Sequence, residues 1–263
     1  MIRILLSGAY GKMGRAMAAN ILKEDDMRIV AAVDVKGVGE DVGLLAGCAA
    51  AGVSVGGDLR GAIESARPDV LLDFTNAQAA NKNARLALSM GLPCVVGTTG
   101  LSDADLAELS ALSLAHDAPL FIAANFALSA VLMMRFAAEA AKYFPDYEIV
   151  EMHGENKLDA PSGTALATMK MIAAAREAQP SAAQGGYELL SGCRGGEYQG
   201  GRVHSLRLPG AVAAQECLFG GLGQYLSIRH DATSRECFYP GVALALRRIG
   251  GLRGLVMGLE QII

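Results

Sequence analysis

The densest concentration of reactive side chains lies in one stretch: His153, then Lys157, then Asp159-Ala160-Pro161-Ser162-Gly163-Thr164-Ala165. Pro161 suits the first turn of a helix. Ser162, Gly163 and Thr164 after it offer small side chains, hydroxyls and unpaired amides at the positive end of the helix dipole, a nest for a carboxylate. Lys157 brings an ammonium group to the same anion and can either pair with it or give up a proton. Reduction of a conjugated ring asks for both. Hydride added at one atom is matched by a proton at its neighbour, and a nearby cation stabilises the negative charge that develops. His153 orients Lys157 or the substrate, or adds charge when protonated. The bland alternative for these residue types is a loop with a solvated lysine ahead of a proline-started helix.

A second constellation fits a dinucleotide. Gly8-Ala9-Tyr10-Gly11-Lys12-Met13-Gly14 follows an apolar run and opens a helical stretch. A tight turn, a close backbone and a helix N-terminus facing a pyrophosphate all need residues whose side chains stay out of the way. Asp34 ends the next apolar run, placed to accept hydrogen bonds from ribose hydroxyls, which favours NADH. Lys12, Arg15 and Lys36 lie close enough to offset a 2′-phosphate, so NADPH stays open beside it. Asp73-Phe74-Thr75 and Gly97-Thr98-Thr99-Gly100 close two further apolar runs. Phe74 is suited to pack on a nicotinamide face, and the backbone of Gly97, Thr98 and Thr99 to fix its amide, although plain turn chemistry explains these residues equally. Of the remaining histidines, His116 and His204 read as structural. His230 and Arg235 form a basic pair for a second carboxylate or part of a surface salt-bridge network.

The elements that must position these groups follow from hydrophobic patterning. Strands are expected at Ile2–Leu6, Ile29–Val33, Val70–Phe74, Cys94–Val96 and Leu120–Ala123. Helices are expected near Arg15–Lys23, Leu59–Ala66, Gln78–Met90 and Asp103–Ala115, the last opened by a capping box of Ser102 with Asp105. This is an α/β, Rossmann-type, doubly wound and mostly parallel sheet of five strands. After Asn125 the pattern changes to a helix over 127–144, a strand over 148–153, a helix after Pro161 and a glycine-rich loop from Gln184 to Gly201. Three runs, 203–208, 212–219 and 225–230, read as adjacent antiparallel strands. A second α+β domain with a mixed sheet is therefore expected. The boundaries are 1–125 for a dinucleotide-binding domain, 126–234 for a substrate-binding and oligomerisation domain, and 235–263 for a C-terminal segment packing back on the first.

Composition limits the partners. The 263 residues are 52% hydrophobic and 19% charged with a net charge of -4, a folded chain without the basic patch that nucleic acid or an anionic membrane would need. A small-molecule partner is expected, with no nucleic acid and no membrane. Five cysteines at scattered spacings suggest neither a disulfide framework nor a metal site, and point to a reducing cytoplasm. The apolar run before Gly8 is too short for a signal peptide. Residues 118–134, the longest uncharged run worth testing as a span, carry Pro119 and Asn125 and read as a buried strand running into a helix.

Together these motifs resemble the bacterial dihydrodipicolinate reductase family of the diaminopimelate route to lysine. The resemblance rests on Gly8-x-x-Gly11-x-Met13-Gly14-Arg15, Asp73-Phe74-Thr75, Gly97-Thr98-Thr99-Gly100, Ala124-Asn125-Phe126, Lys157-x-Asp159-Ala160-Pro161-Ser162-Gly163-Thr164-Ala165 and the segment from His230 to Arg235. It spans nearly the whole chain. It implies that Asp34 and the glycine loop hold NADH or NADPH, and that Phe74, Thr75, Gly97, Thr99, Ala124 and Phe126 line the nicotinamide end. His153 and Lys157 would act in proton donation, and Ser162, Gly163 and Thr164 would grip a substrate carboxylate. It further implies a homotetramer built through the sheet of the second domain, and closure between domains. Two departures stand out: the family's second histidine after His153 is here Gly154, and Ala127-Leu128-Ser129-Ala130 replaces its usual Ser-x-Gly-Val. Losing an imidazole that makes a charged hydrogen bond to a dianion weakens binding by about 1–3 kcal/mol. Two other functions stay open at this level, a same-fold reductase of another cyclic imine or dicarboxylate, and a nicotinamide sensor without catalysis.

Overall fold

The structure, a computed structural model, describes residues 1–177 and 187–263. Its strands in chain order are β1 (Ile2–Ser7), β2 (Met27–Val33), β3 (Val55–Gly56), β4 (Val70–Asp73), β5 (Cys94–Val96), β6 (Leu120–Ile122), β7 (Asp146–His153), β8 (Gly196–Tyr198), β9 (Gly201–Arg207), β10 (Ala213–Gly221), β11 (Gln224–Ala232) and β12 (Leu255–Met257). The helices are α1 (Lys12–Ile21), α2 (Val42–Leu45), α3 (Leu59–Ala66), α4 (Ala77–Ser89), α5 (Asp103–Ala115), α6 (Leu128–Ala140), α7 (Gly163–Ala175) and α8 (Tyr239–Arg248). They divide into two units, Met1–Phe126 with Arg235–Ile263, and Ala127–Ser234.

In the first unit, β1 carries Ile4, Leu5 and Leu6 at 0% exposure, and β4 carries Val70, Leu71 and Leu72 likewise. Continuous rather than alternating apolar runs are what strands covered on both faces by helices require. The sheet runs β12-β6-β5-β4-β1-β2-β3 with every pair parallel. The doubly wound sheet is as expected from the sequence, but it has seven strands rather than five. β3 is a two-residue strand beside β2, and β12 pairs with β6 from the far end of the chain. The order turns at β1, flanked by β2 and β4, which puts the segments after β1 and β4 at the crevice where open α/β sheets bind ligands. α3 and α5 have the expected bounds, and Ser102 with Asp105 forms the capping box of α5. α1 begins at Lys12, three residues before the expected start, because Gly11 already serves as its N-cap.

The second unit is built on a five-stranded mixed sheet, β11-β10-β7-β9-β8, in which only β7 and β9 are parallel. α6 and α7 bury Met133, Ala137, Met169 and Ile172 with Ile149, Cys217 and Phe219 of the sheet. β10 and β11 pair as expected, but β9 is not their neighbour: β7 lies between β9 and β10, bonded to both. The glycine-rich stretch is also more than a loop, since β8 pairs with β9 inside it; Gln184, Gly185 and Gly186 lie outside the described residues. Residues 118–134 run from β6 into α6, and among the described residues no helix is long and apolar enough to cross a membrane.

Candidate active site

The turn after β1 is shaped by two glycines. Gly8 has φ +79, and a Cβ there would lie 2.5 Å from the Phe74 carbonyl oxygen. Gly14, buried in α1, brings that helix against the Gly8 carbonyl, which also accepts from the Gly11 amide at 3.1 Å, and the first helical amides, those of Lys12 and Met13, lie at a helix N-terminus without acidic residues in its first turn. Asp34 follows β2. Its Oδ2 accepts from the Tyr10 amide at 2.9 Å and its Oδ1 from the Lys36 amide at 3.0 Å, which fixes the carboxylate and leaves lone pairs for further donors. The Arg15 guanidinium lies 5.8 Å from the Tyr10 ring centroid. Lys12, Lys36 and Tyr10 are exposed beside it. The first unit thus offers both an acceptor for a ribose and cations for a 2′-phosphate.

Next along the sheet edge, β4 ends on Asp73, 0% exposed, which accepts from the Thr75 amide and hydroxyl at 3.0 and 2.6 Å and from Asn83 at 2.8 Å. This buried acceptor pins the Phe74–Thr75 turn. The Phe74 ring packs against Phe126 with centroids 5.9 Å apart. Gly97 makes room for it: a Cβ there would fall on the ring, 2.6 Å from Cδ1. Beyond them is a cleft of about 340 Å³ lined by Thr98, Thr99, Ala124, Met257 and Gly258 among others, and the buried Thr98 hydroxyl has no partner among the described residues. Asn125 is half-buried between Ala124 and Phe126. The glycine cradle, the anchored Asp34 and this cleft fit a nicotinamide dinucleotide lying along the C-terminal edge of the sheet.

In the second unit, β7 delivers His153 and the following loop delivers Lys157. His153 Nδ1 sits 2.6 Å from Glu151 Oε2. The Lys157 ammonium is bound by Asp159, at 2.8 and 2.9 Å from its two oxygens, and this bond holds the Asp159 carboxyl below its usual range. Asp159 is 61% exposed, so the pair is weak enough for an incoming carboxylate to replace it. Pro161 is not in the first turn of α7 as the sequence suggests. It precedes Ser162, which is the N-cap and accepts from the Ala165 amide at 3.1 Å. Gly163 and Thr164 then supply the first helical amides, Gly163 exposed and Thr164 half-buried.

His230 and Arg235 fall in different units. His230, 7% exposed, bonds Ser129 Oγ at 2.8 Å, and burial lowers its pKa, so it takes no part in a surface network. That network exists one residue away, between Arg229, Asp231 and Glu216. Arg235 is exposed at the start of a 3₁₀ turn in the other unit. Glu151 and Arg207 have no place in the sequence reading, yet they contact this segment directly: both Arg207 Nη atoms bond Glu151, at 3.0 and 2.9 Å. The missed signal is the phase of β7, in which Glu151 falls on the face of Tyr147 and Ile149.

Comparison with known proteins bears on the same two units. A family model described as dihydrodipicolinate reductase, N-terminus, matches residues 2–126, and its C-terminal counterpart matches residues 129–263. The chain belongs to the dihydrodipicolinate reductase family. A 4-hydroxy-tetrahydrodipicolinate reductase of Moorella thermoacetica is 52% identical over 264 residues, covering 100% of this chain and 98% of its own length. One from Desulfitobacterium hafniense is 49% identical over 263 residues, with 100% and 98% covered. The solved dipicolinate-bound dihydrodipicolinate reductase from Paenisporosarcina sp. TG-14 superposes with a TM-score of 0.90 at 40% identity, both chains covered fully. An amine dehydrogenase from Mycobacterium smegmatis shares the fold at 14% identity, with a TM-score of 0.69. As a dihydrodipicolinate reductase family member the chain is an oxidoreductase that uses NADH or NADPH. Gly154 sits in a tight turn: its carbonyl accepts from the Lys157 amide at 3.1 Å, and a Cβ would lie 3.1 Å from the Ala211 oxygen.

Proposed function

We propose that this chain reduces 4-hydroxy-tetrahydrodipicolinate to tetrahydrodipicolinate in the diaminopimelate route to lysine, the 4-hydroxyl leaving as water to give the conjugated ring that takes up hydride and a proton, with Lys157 as donor of that proton. The observation that carries this reading is the Lys157–Asp159 pair, a replaceable, exposed ion pair just ahead of the α7 N-terminus. Gly8, Tyr10, Gly11, Lys12, Met13, Gly14, Asp34 and Lys36 hold the nucleotide end of NADH or NADPH, while Phe74, Thr75, Gly97, Thr98, Thr99, Ala124, Asn125 and Phe126 line the nicotinamide end. When bound, the nicotinamide supplies a hydride. Ser162, Gly163 and Thr164 bind one substrate carboxylate through hydroxyls and helix amides. Lys157 exchanges Asp159 for the substrate and protonates the atom beside the one reduced, with His153 assisting in proton donation. Arg235 binds the second carboxylate. A pyridine-type dicarboxylate is the ring class that the Paenisporosarcina protein binds as dipicolinate.

In domain terms, 1–125 with 235–263 serves the dinucleotide and 126–234 serves substrate and assembly. We assign a homotetramer formed through the sheet of the second unit, where Leu206, Tyr225 and Leu226 are exposed, and a cytoplasmic site of action, which suits five free cysteines. Gly154 favours a second reading, a different cyclic imine or dicarboxylate as substrate. Following NADH and NADPH absorbance with substrate freshly made by the preceding synthase tests both. Rapid oxidation is expected, and Lys157→Ala should lower turnover about 10²- to 10⁴-fold while cofactor binding persists. Near wild-type turnover in that variant, or no oxidation with this substrate, refutes the reading.

A further inference from the structure

Along β7 the side chains of Tyr147 and Ile149 turn into the core against α6 and α7, and Glu151 follows them in phase at 0% exposure. An ionised carboxylate in that position is costly unless both oxygens are bonded. Both are. Oε2 lies 2.6 Å from His153 Nδ1 and accepts from Arg207 Nη1 at 3.0 Å. Oε1 accepts from Arg207 Nη2 at 2.9 Å and from the Ser162 amide at 3.3 Å. Burial pulls the Glu151 pKa up, but hydrogen bonds from Arg207, Ser205 and His153, together with the Arg207 charge, hold it below its ordinary range.

An ionised carboxylate can only accept. Nδ1 of His153 must therefore carry its hydrogen toward Glu151, and Nε2 is left without a partner among the described residues. The same group reaches the rest of the reactive segment. Ser162 is the N-cap of α7, and Arg207 Nη2 also donates to the Asp159 carbonyl at 2.6 Å, two residues beyond Lys157. One buried carboxylate is thus bonded to the imidazole, to the helix cap at the nest and, through Arg207, to the lysine loop.

We infer that Glu151, with Arg207, is a positioning residue for the reaction, fixing the tautomer and ring orientation of His153 and the setting of the carboxylate nest. This rests on the roles proposed for His153 and Lys157. The test is a double-mutant cycle in the full chain with enzymatically generated substrate: Glu151→Gln, His153→Ala and the two combined, with Lys157→Ala alongside. kcat, the KM of the substrate and cofactor affinity are measured for each. Glu151→Gln keeps the shape and removes the charge. It should lower kcat about 10- to 100-fold, the loss that removing the carboxylate partner of a metal-binding histidine typically causes and that the same orienting bond sets here. Cofactor affinity should stay within about two-fold, and the combined loss should fall well short of the product of the single losses. A kcat close to wild type in Glu151→Gln, or losses that multiply, overturns the inference. Wild-type turnover in both His153→Ala and Lys157→Ala refutes instead the reading of the site on which it stands. If Glu151→Gln does not fold, Arg207→Lys takes its place in the cycle. It keeps the charge but not the two-pronged contact, with the same coupling expected and multiplying losses again decisive against it.

Discussion

Gly97 and Phe74 show how a site can depend on a missing side chain. Neither has a strained backbone; what matters is that the ring occupies the volume where a Cβ at Gly97 would be. Gly97→Ala must displace Phe74 from its contact with Phe126, and such overpacking costs about 1–3 kcal/mol. The expected result is a lowered melting temperature together with a raised KM for the cofactor, because the ring that moves is the one assigned to the nicotinamide face. Unchanged melting and kinetics would show that the pocket has slack at this point. Gly154 is a different case. The nearest obstacle to a side chain is a single backbone oxygen, that of Ala211, so the turn tolerates glycine without depending on it as heavily.

At the scale of elements, the segment between β2 and β3 is held by Asp41. Its Oδ1 accepts from the Gly43, Leu44 and Ala51 amides and its Oδ2 from the Gly52 and Val53 amides. The bond from Ala51 is the largest influence on its carboxyl and, with those from Leu44, Gly43 and Gly52, lowers the pKa from 3.8 against the effect of burial. A depressed folded-state pKa means stability that is present above the unfolded value and lost as pH falls through the folded one. Asp41→Asn places an NH₂ group against amide donors. It should therefore melt below wild type at neutral pH, with the gap closing as pH falls below 3.8, and should lose exchange protection at 51–53. A constant gap across that range would argue against the carboxylate clamp. Cofactor affinity should fall too, since this segment leads into β3, whose Gly56 carbonyl accepts from the Asp34 amide at 3.0 Å. Much of this architecture was legible in the sequence, because continuous apolar runs and cap residues encode β1, β4, α3 and α5 locally. β3 and β12 were not, being two and three residues long and stabilised by pairing with β2 and β6 rather than by their own pattern. The placement of β7 between β9 and β10 depends on long-range pairing, which turn residues do not report. The lysine segment and glycine loop were readable from residue type, whereas Glu151 looked like any strand glutamate until its phase was known.

For the whole molecule, the two chain crossings near 126 and 235 make the first unit discontinuous, so its folding depends on residues that follow the whole of the second unit in the chain. β12 adds a parallel strand to β6, pairing Leu255 with Leu120, Val256 with Phe121 and Met257 with Ile122. Val242, Leu246, Ile249 and Leu259 are almost fully buried in the same unit. At about 1.5–3 kcal/mol each their burial is worth together about 6–12 kcal/mol, comparable with the whole stability of about 5–15 kcal/mol typical of a folded protein. A chain ending at Ser234 should therefore fail to form the first unit even though every residue of the glycine loop, Asp34 and Phe74 is present. The measurement is ligand-linked melting. NADH at about 100 times its Kd should stabilise the full chain by about 2.7 kcal/mol and leave the shortened chain unshifted. An equal shift in both would mean that residues 1–126 build the dinucleotide site without α8 and β12, and that the C-terminal segment serves some other purpose than completing the sheet.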